Sequence, residues 1–202
     1  MKITSAVFNT SSVDLEGCPE PTLPEFSLIG RSNVGKSSLL NMLTGMPKLA
    51  KVSQTPGHTK LINFFTINKS WRLVDLPGYG YAKVKRADQS RFNQAVADYL
   101  SCRENMPCVF VLIDSTIPPQ QMDLEFVHWL MQVAAPFALV FTKVDKISPT
   151  RLNTNMEEFK AEMAHFSENL PPIFSCSSKS KAGQKELLEF IEKIISNRKA
   201  AA

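Results

Sequence analysis

The sequence predicts an α/β fold in three layers: a mostly parallel sheet of about six strands, one edge strand antiparallel, with helices on both faces. Two observations predict it. From Glu25 onward, strand-length apolar runs alternate with amphipathic stretches. A glycine-rich loop also joins the first of these runs to a leucine-bearing helix, the usual start of a phosphate-binding sheet.

The apolar runs are Phe26–Ile29, Leu61–Ile67, Trp71–Val74, Cys108–Ile113, Phe137–Phe141 and Ile173–Phe174. Their length and their Val, Ile and Phe content mark buried strands. Leu61–Ile67 and Trp71–Val74 are separated only by Asn68-Lys69-Ser70, so they form a hairpin and supply the antiparallel strand. Helices follow from apolar residues at steps of three and four. Leu39, Leu40 and Leu43 mark the first, and Leu124, Val127, Leu130 and Met131 another. Leu152, Met156, Phe159, Met163 and Phe166 mark a third, with Ser148 as N-cap and Pro149 at its first position. Leu187, Leu188, Ile191, Ile194 and Ile195 follow Gly183. These stripes are core, not ligand sites. Residues 1–24 are polar and proline-bearing, and read as an N-terminal extension to one domain over 25–199.

Composition narrows the function classes. The chain has 202 residues, 44% hydrophobic and 21% charged, the balance of a globular protein. Its net charge of +4 suits either a solvated basic surface or a phosphate-rich partner. Cys18, Cys102, Cys108 and Cys176 match no zinc spacing and no disulfide framework, and Cys108 and Cys176 sit in apolar runs as small buried hydrophobes. The first residues lack the apolar core of a signal peptide, and no run is long enough to span a bilayer, so the expectation is a cytoplasmic protein without a membrane role.

Four motifs carry chemistry. The first, Gly30-Arg31-Ser32-Asn33-Val34-Gly35-Lys36-Ser37 followed by Ser38, matches G-x-x-x-x-G-K-[ST]. Glycines let the backbone curl so that successive N–H groups face a phosphate, Lys36 neutralises β- and γ-phosphate charge, and Ser37 offers Mg²⁺ a hard oxygen. The second, Asp75-Leu76-Pro77-Gly78, ends a strand: Asp75 can hold Mg²⁺ through water, and the Gly78 N–H can approach the γ-phosphate unhindered.

The third, Thr142-Lys143-Val144-Asp145, places a carboxylate that can accept from guanine N1–H and its exocyclic amine. Adenine would leave it unpaired, a discrimination of about 10⁴ or more. The stem of Lys143 can lie on the base. The fourth, Ser177-Ser178-Lys179, offers backbone N–H groups to guanine O6, although a serine-rich turn alone has the same composition.

In this order the motifs resemble a TRAFAC-class small GTPase, with a Ras-like P-loop G domain. The runs Gly30–Leu39, Thr55-Pro56-Gly57-His58-Thr59-Lys60-Leu61-Ile62-Asn63-Phe64-Phe65 and Val74-Asp75-Leu76-Pro77-Gly78-Tyr79-Gly80-Tyr81-Ala82 resemble the bacterial EngB (YihA/YsxC) family, over about residues 23 to 195. The resemblance implies slow GTP hydrolysis, Mg²⁺ and GTP/GDP as ligands, and action in large ribosomal subunit assembly and normal cell division and septation. It implies ribosomal RNA and proteins as partners, with a monomer favoured. It also assigns Thr59 in Gly57-His58-Thr59 as the Mg²⁺ ligand of switch I, with Thr55 the alternative. Lys60 departs from the family's usual Gln.

Tyr79 stands where many GTPases carry a water-orienting Gln. Intrinsic hydrolysis is therefore expected to be weak and to need a cation or a partner, with Lys36, Thr59 and Asn33 as the catalytic candidates; the Asn33 carbonyl oxygen can help hold K⁺ beside the phosphates, or else only caps the loop. Lys83-Val84-Lys85-Arg86 and Arg91 read as a solvated face or as a contact to RNA phosphates. His128 and His165 sit in helix patterns as structural residues, and His58 lies in switch I. Two other readings are weaker. A P-loop metabolic enzyme is opposed by Thr142–Asp145, and a septin-like structural GTP-binder by the lack of a coiled coil after residue 195.

Overall fold

The computed structural model describes residues 1–50, 61–79 and 86–201, with only the backbone of 86–93, 199 and 201. Among the described residues, seven strands form one sheet: β1 (Ala6–Ser12), β2 (Glu25–Gly30), β3 (Ile62–Ile67), β4 (Trp71–Asp75), β5 (Cys108–Asp114), β6 (Phe137–Thr142) and β7 (Ile173–Ser175). Among the same residues, five α-helices accompany them: α1 (Lys36–Thr44), α2 (Arg86–Cys102), α3 (Gln121–Gln132), α4 (Pro149–Ala164) and α5 (Gln184–Ala201).

The strand order is β1-β3-β4-β2-β5-β6-β7. β4, β2, β5, β6 and β7 run parallel, whereas β3 is antiparallel to both β4 and β1. The hairpin expected from Asn68-Lys69-Ser70 is present, and Asn68 and Lys69 both turn with positive φ, at 49° and 53°. The sequence expectation of about six strands becomes seven. The additional strand, β1, comes from the segment read as an extension, and it places β3 one position in from the edge. Its only pattern is one buried residue at each end, Ala6 and Ser12, with a register shift between Phe8 and Thr10. A bulged edge strand whose Val7 and Phe8 are exposed, and whose second half is Asn, Thr and Ser, carries no alternating signal to read.

Strand alternation splits the core. Phe26 and Leu28 of β2 and Phe110 and Leu112 of β5 pack with Leu39, Leu40 and Leu43 of α1 and Leu187 and Ile191 of α5. Ile29, Val109, Val111 and Ile113 face the other way, onto Tyr99 of α2, Leu124 and Val127 of α3, and Phe159 and Met163 of α4. Both central strands are therefore buried on two faces and read as continuous apolar runs. Ser148 caps α4, its hydroxyl accepting from the Arg151 N–H at 3.2 Å. His128 stacks on Phe166 and Cys108 and Cys176 are buried, as their patterns imply. Among the described residues, no helix is long and apolar enough to cross a membrane.

The topology sets the site. β2 lies between β4 and β5, where the crossovers pass to opposite faces: α1 on one, α2 on the other. The crevice outside the carboxyl end of such a strand is where α/β sheets take ligands.

Candidate nucleotide-binding site

The loop leaving β2 occupies that crevice. Asn33 and Gly35 both take positive φ, at 64° and 111°, so the backbone curls before α1 begins at Lys36. Val34 and Leu76 turn their side chains into the core, which leaves their backbone alone for a ligand. Lys36 is 8% exposed and its Nζ donates to the Gly30 carbonyl at 3.3 Å. Burial lowers the pKa of Lys36, and the charge of Asp75 offsets part of that.

Asp75 closes the phosphate end. It is 3% exposed, and burial pushes its carboxyl up to about 6 despite the nearby Lys36. Its Oδ1 is buried and has no hydrogen-bond partner among the described residues. An orphaned buried carboxylate oxygen calls for a cation or an ordered water, so this donor set fits a hard metal, with the Ser37 hydroxyl directly after Lys36, whose charge acts on Asp75. Gly78 follows. A Cβ there would stand 2.7 Å from the Gly30 oxygen and 3.0 Å from Lys36 Nζ, so no larger residue fits without a shift. The two motifs are thus packed against each other, as phosphate binding by both requires.

The base end is built from the ends of β5, β6 and β7. The Thr142 hydroxyl donates within reach of two carbonyls, Val34 at 2.7 Å and Ile113 at 3.1 Å, which ties this loop to the phosphate loop. Lys143 takes positive φ, 62°, and its ammonium contacts Asp114 Oδ2 at 2.5 Å. For Asp114, burial works upward but the hydrogen bonds from Lys143 and Thr116 prevail, and its pKa is lowered. The Ser177 hydroxyl donates to Asp145 Oδ1 at 2.6 Å and accepts from the N–H groups of Lys179 and Ser180 at 3.2 and 3.1 Å. That bond lowers the pKa of Asp145, which keeps its carboxylate ionised. The fourth motif is therefore more than a serine-rich turn: it orients the acid of the third.

Gly30, Arg31, Ser32, Gly35, Ser37, Ser38, Asp75, Pro77, Gly78 and Thr142–Asp145 all stand at or just beyond the carboxyl ends of β2, β4 and β6, the same edge of the sheet. Gly57, His58, Thr59 and Lys60, together with Lys83 and Lys85, lie outside the described residues, and so do the side chains of Arg86 and Arg91. Two acids escaped the sequence reading. Asp114 holds Lys143, and Asp123 of α3 holds Arg31 and Tyr79. Neither stands in a motif. The only signal for Asp114 is its position at a strand's carboxyl end, the rim where ligands bind.

A family model described as "50S ribosome-binding GTPase" matches residues 25–143. A "Probable GTP-binding protein EngB" from Porphyromonas gingivalis is 50% identical over 194 residues, 96% of each chain. One of the same name from Phocaeicola vulgatus is 48% identical over 200 residues, 99% of this chain and all of the relative. In fold, the chain is similar to a crystal structure of a probable GTP-binding protein engB, with a TM-score of 0.68 at 22% identity over 86% of this chain and 99% of that one. It is also similar to Era in complex with MgGDPNP and 16S ribosomal RNA, with a TM-score of 0.68 at 23% identity over 85% of this chain and 56% of that one.

Proposed function

We propose that this chain, which belongs to the EngB family of GTP-binding GTPases, is a Mg²⁺-dependent nucleotide switch acting in the assembly of the large ribosomal subunit. The observation that carries the switch is the packing of Gly78 onto Gly30 and Lys36, beside an Asp75 Oδ1 that has no partner among the described residues. A γ-phosphate entering there meets the residues that must report its presence.

The roles follow from chemistry. Lys36 offsets β- and γ-phosphate charge, and backbone N–H groups of residues 30–38 receive the phosphates. Ser37 and Asp75 would hold Mg²⁺, joined by Thr59 in the GTP state. The ion supplies charge compensation at the phosphate oxygens when bound. Asp145 accepts from guanine N1–H and the exocyclic amine, the stem of Lys143 covers the base, and N–H groups of Ser177–Lys179 face O6. Tyr79 offers no amide to orient water, so hydrolysis is slow and draws on a cation held by Asn33 or on the partner. The partner is the large subunit, through its RNA and proteins. The description of the matching family model supports that choice. The setting is the cytoplasm, the protein a monomer, and its activity is needed for normal cell division and septation.

Co-sedimentation with ribosomal subunits in a GTP analogue, in GDP and without nucleotide tests this. Binding to the large subunit in the GTP analogue and its release in GDP are expected. Equal sedimentation in all three conditions refutes a switch, and none at all refutes the partner.

A further inference from the structure

One buried carboxylate belongs to neither motif yet holds both. Asp123, in the first turn of α3, is 1% exposed. Arg31 Nε stands 3.1 Å from each of its oxygens, and the Tyr79 hydroxyl donates to Oδ1 at 2.8 Å. The Tyr79 ring also stacks on Phe126 of the same helix, centroids 4.3 Å apart and planes at 21°. Burial raises the pKa of Asp123, and the bonds from Tyr79 and Arg31 work against it. A carboxylate so placed is costly unless both partners remain.

The two partners have telling neighbours. Arg31 follows Gly30 directly, and Tyr79 follows Gly78 directly. Gly30 and Gly78 are the residues whose close approach brings the second motif onto the first. The residue after each is therefore clamped to the same carboxylate, with both clamps on a rigid helix. The tie also accounts for Tyr79. Its side chain is committed to α3, so it is not spare for chemistry at the phosphates, and its use lies in fixing the backbone just before it.

We propose that Asp123 is a positioning residue that raises affinity for GTP relative to GDP: by tying Tyr79 and Arg31 to α3, it holds the Gly78 N–H ready for a γ-phosphate. Holding a donor in its bound place beforehand removes the ordering cost from binding. GDP lacks the γ-phosphate, so it gains nothing from the Tyr79 side of the tie. The proposal rests on the reading of Gly78 as the γ-phosphate contact.

Calorimetry on the full chain, with GDP and with a non-hydrolysable GTP analogue, tests it. Tyr79→Phe removes one hydroxyl and keeps the ring on Phe126, and Asp123→Asn keeps the volume of the acid. Each is expected to weaken the GTP analogue about tenfold, the effect of losing one charge-assisted hydrogen bond. For Tyr79→Phe, which leaves Arg31 on Asp123, GDP affinity should stay within about twofold. The double variant should lose little more than Asp123→Asn alone, because both changes cut the same tie. Equal weakening of both nucleotides marks a merely structural role and overturns the proposal. Gly78→Ala separates the premise from the tie. If it lowers the ratio of GTP-analogue to GDP affinity while Tyr79→Phe leaves that ratio at the parent value, the tie is wrong and the premise stands. If Gly78→Ala also leaves the ratio at the parent value, the premise falls, and the proposal with it.

Discussion

Asp145 enters the base site with one oxygen already engaged. Ser177 donates to Oδ1 at 2.6 Å, which fixes the plane of the carboxylate while its ionised state can still take two guanine donors. Asp145→Asn exchanges an acceptor for an amide that donates. GDP affinity should fall by about a hundredfold or more, and xanthine diphosphate should bind better than to the parent, since its C2 carbonyl accepts. Calorimetry with the two nucleotides decides it, and unchanged GDP affinity would remove Asp145 from the site. Asn33 gives a second test. If its oxygen helps hold K⁺, hydrolysis should run about a hundredfold faster in K⁺ than in Na⁺, and Asn33→Ala should erase the difference with GDP binding kept. Equal turnover in both salts would leave the partner to complete the site. Lys36, Asp75, Gly78 and Asp145 were legible in the sequence because each does chemistry by residue type at a fixed place in a motif. Asp114 and Asp123 were not, because what they do depends on partners that only the fold brings to them.

Elements differ in the same way. α4 was legible to its cap, since Ser148, Pro149 and the apolar stripe are local signals. The central strands were legible because burial on both faces leaves an unbroken apolar run. β1 was not, because its pairing with β3 is long-range and its own pattern is polar. The turn into α5 shows a local signal with an element-scale consequence. Gly183 has φ of 76°, and a Cβ there would stand 2.2 Å from the Ser175 oxygen and 2.5 Å from Cys176 Sγ. The turn it makes closes the loop in which the Ser177 N–H donates to the Ala182 carbonyl at 3.1 Å. Gly183→Ala should therefore displace Ser177 and with it the brace on Asp145. Expected are a loss of about 1–3 kcal/mol in stability and weaker GDP binding. Urea unfolding and calorimetry read the two separately, and a variant equal to the parent in both would show that the turn can relax.

At the scale of the whole molecule, the end of the sheet opposite the site is held by one acid. Glu25, at the start of β2, is fully buried. Arg72 of β4 and Arg103, just beyond α2, each reach its Oε1 at 2.8 Å, while Arg103 Nε and the Tyr99 hydroxyl reach Oε2 at 2.8 Å. The same arginines bond the carbonyls of Glu20 and Pro19, so the N-terminal segment, two strands and the end of α2 meet at this point. Burial alone would raise the pKa of Glu25, but the bonds from Arg103, Arg72 and Tyr99 outweigh it and the net shift is downward from 4.5. A lowered folded pKa means that the stabilisation is complete above the unfolded value and is lost as pH falls through the folded one. Glu25→Gln leaves two guanidinium groups in the interior without their counter-charge. At pH 7 it should cost about 3–5 kcal/mol. Below the ordinary glutamate range the parent gives up the same carboxylate, so the two proteins should converge in stability as the solution becomes more acid. Urea unfolding at pH 7 and at several lower values measures the gap. A gap that stays constant with pH would mean that the variant loses packing rather than charge pairing, and that Glu25 is not what joins this end of the sheet.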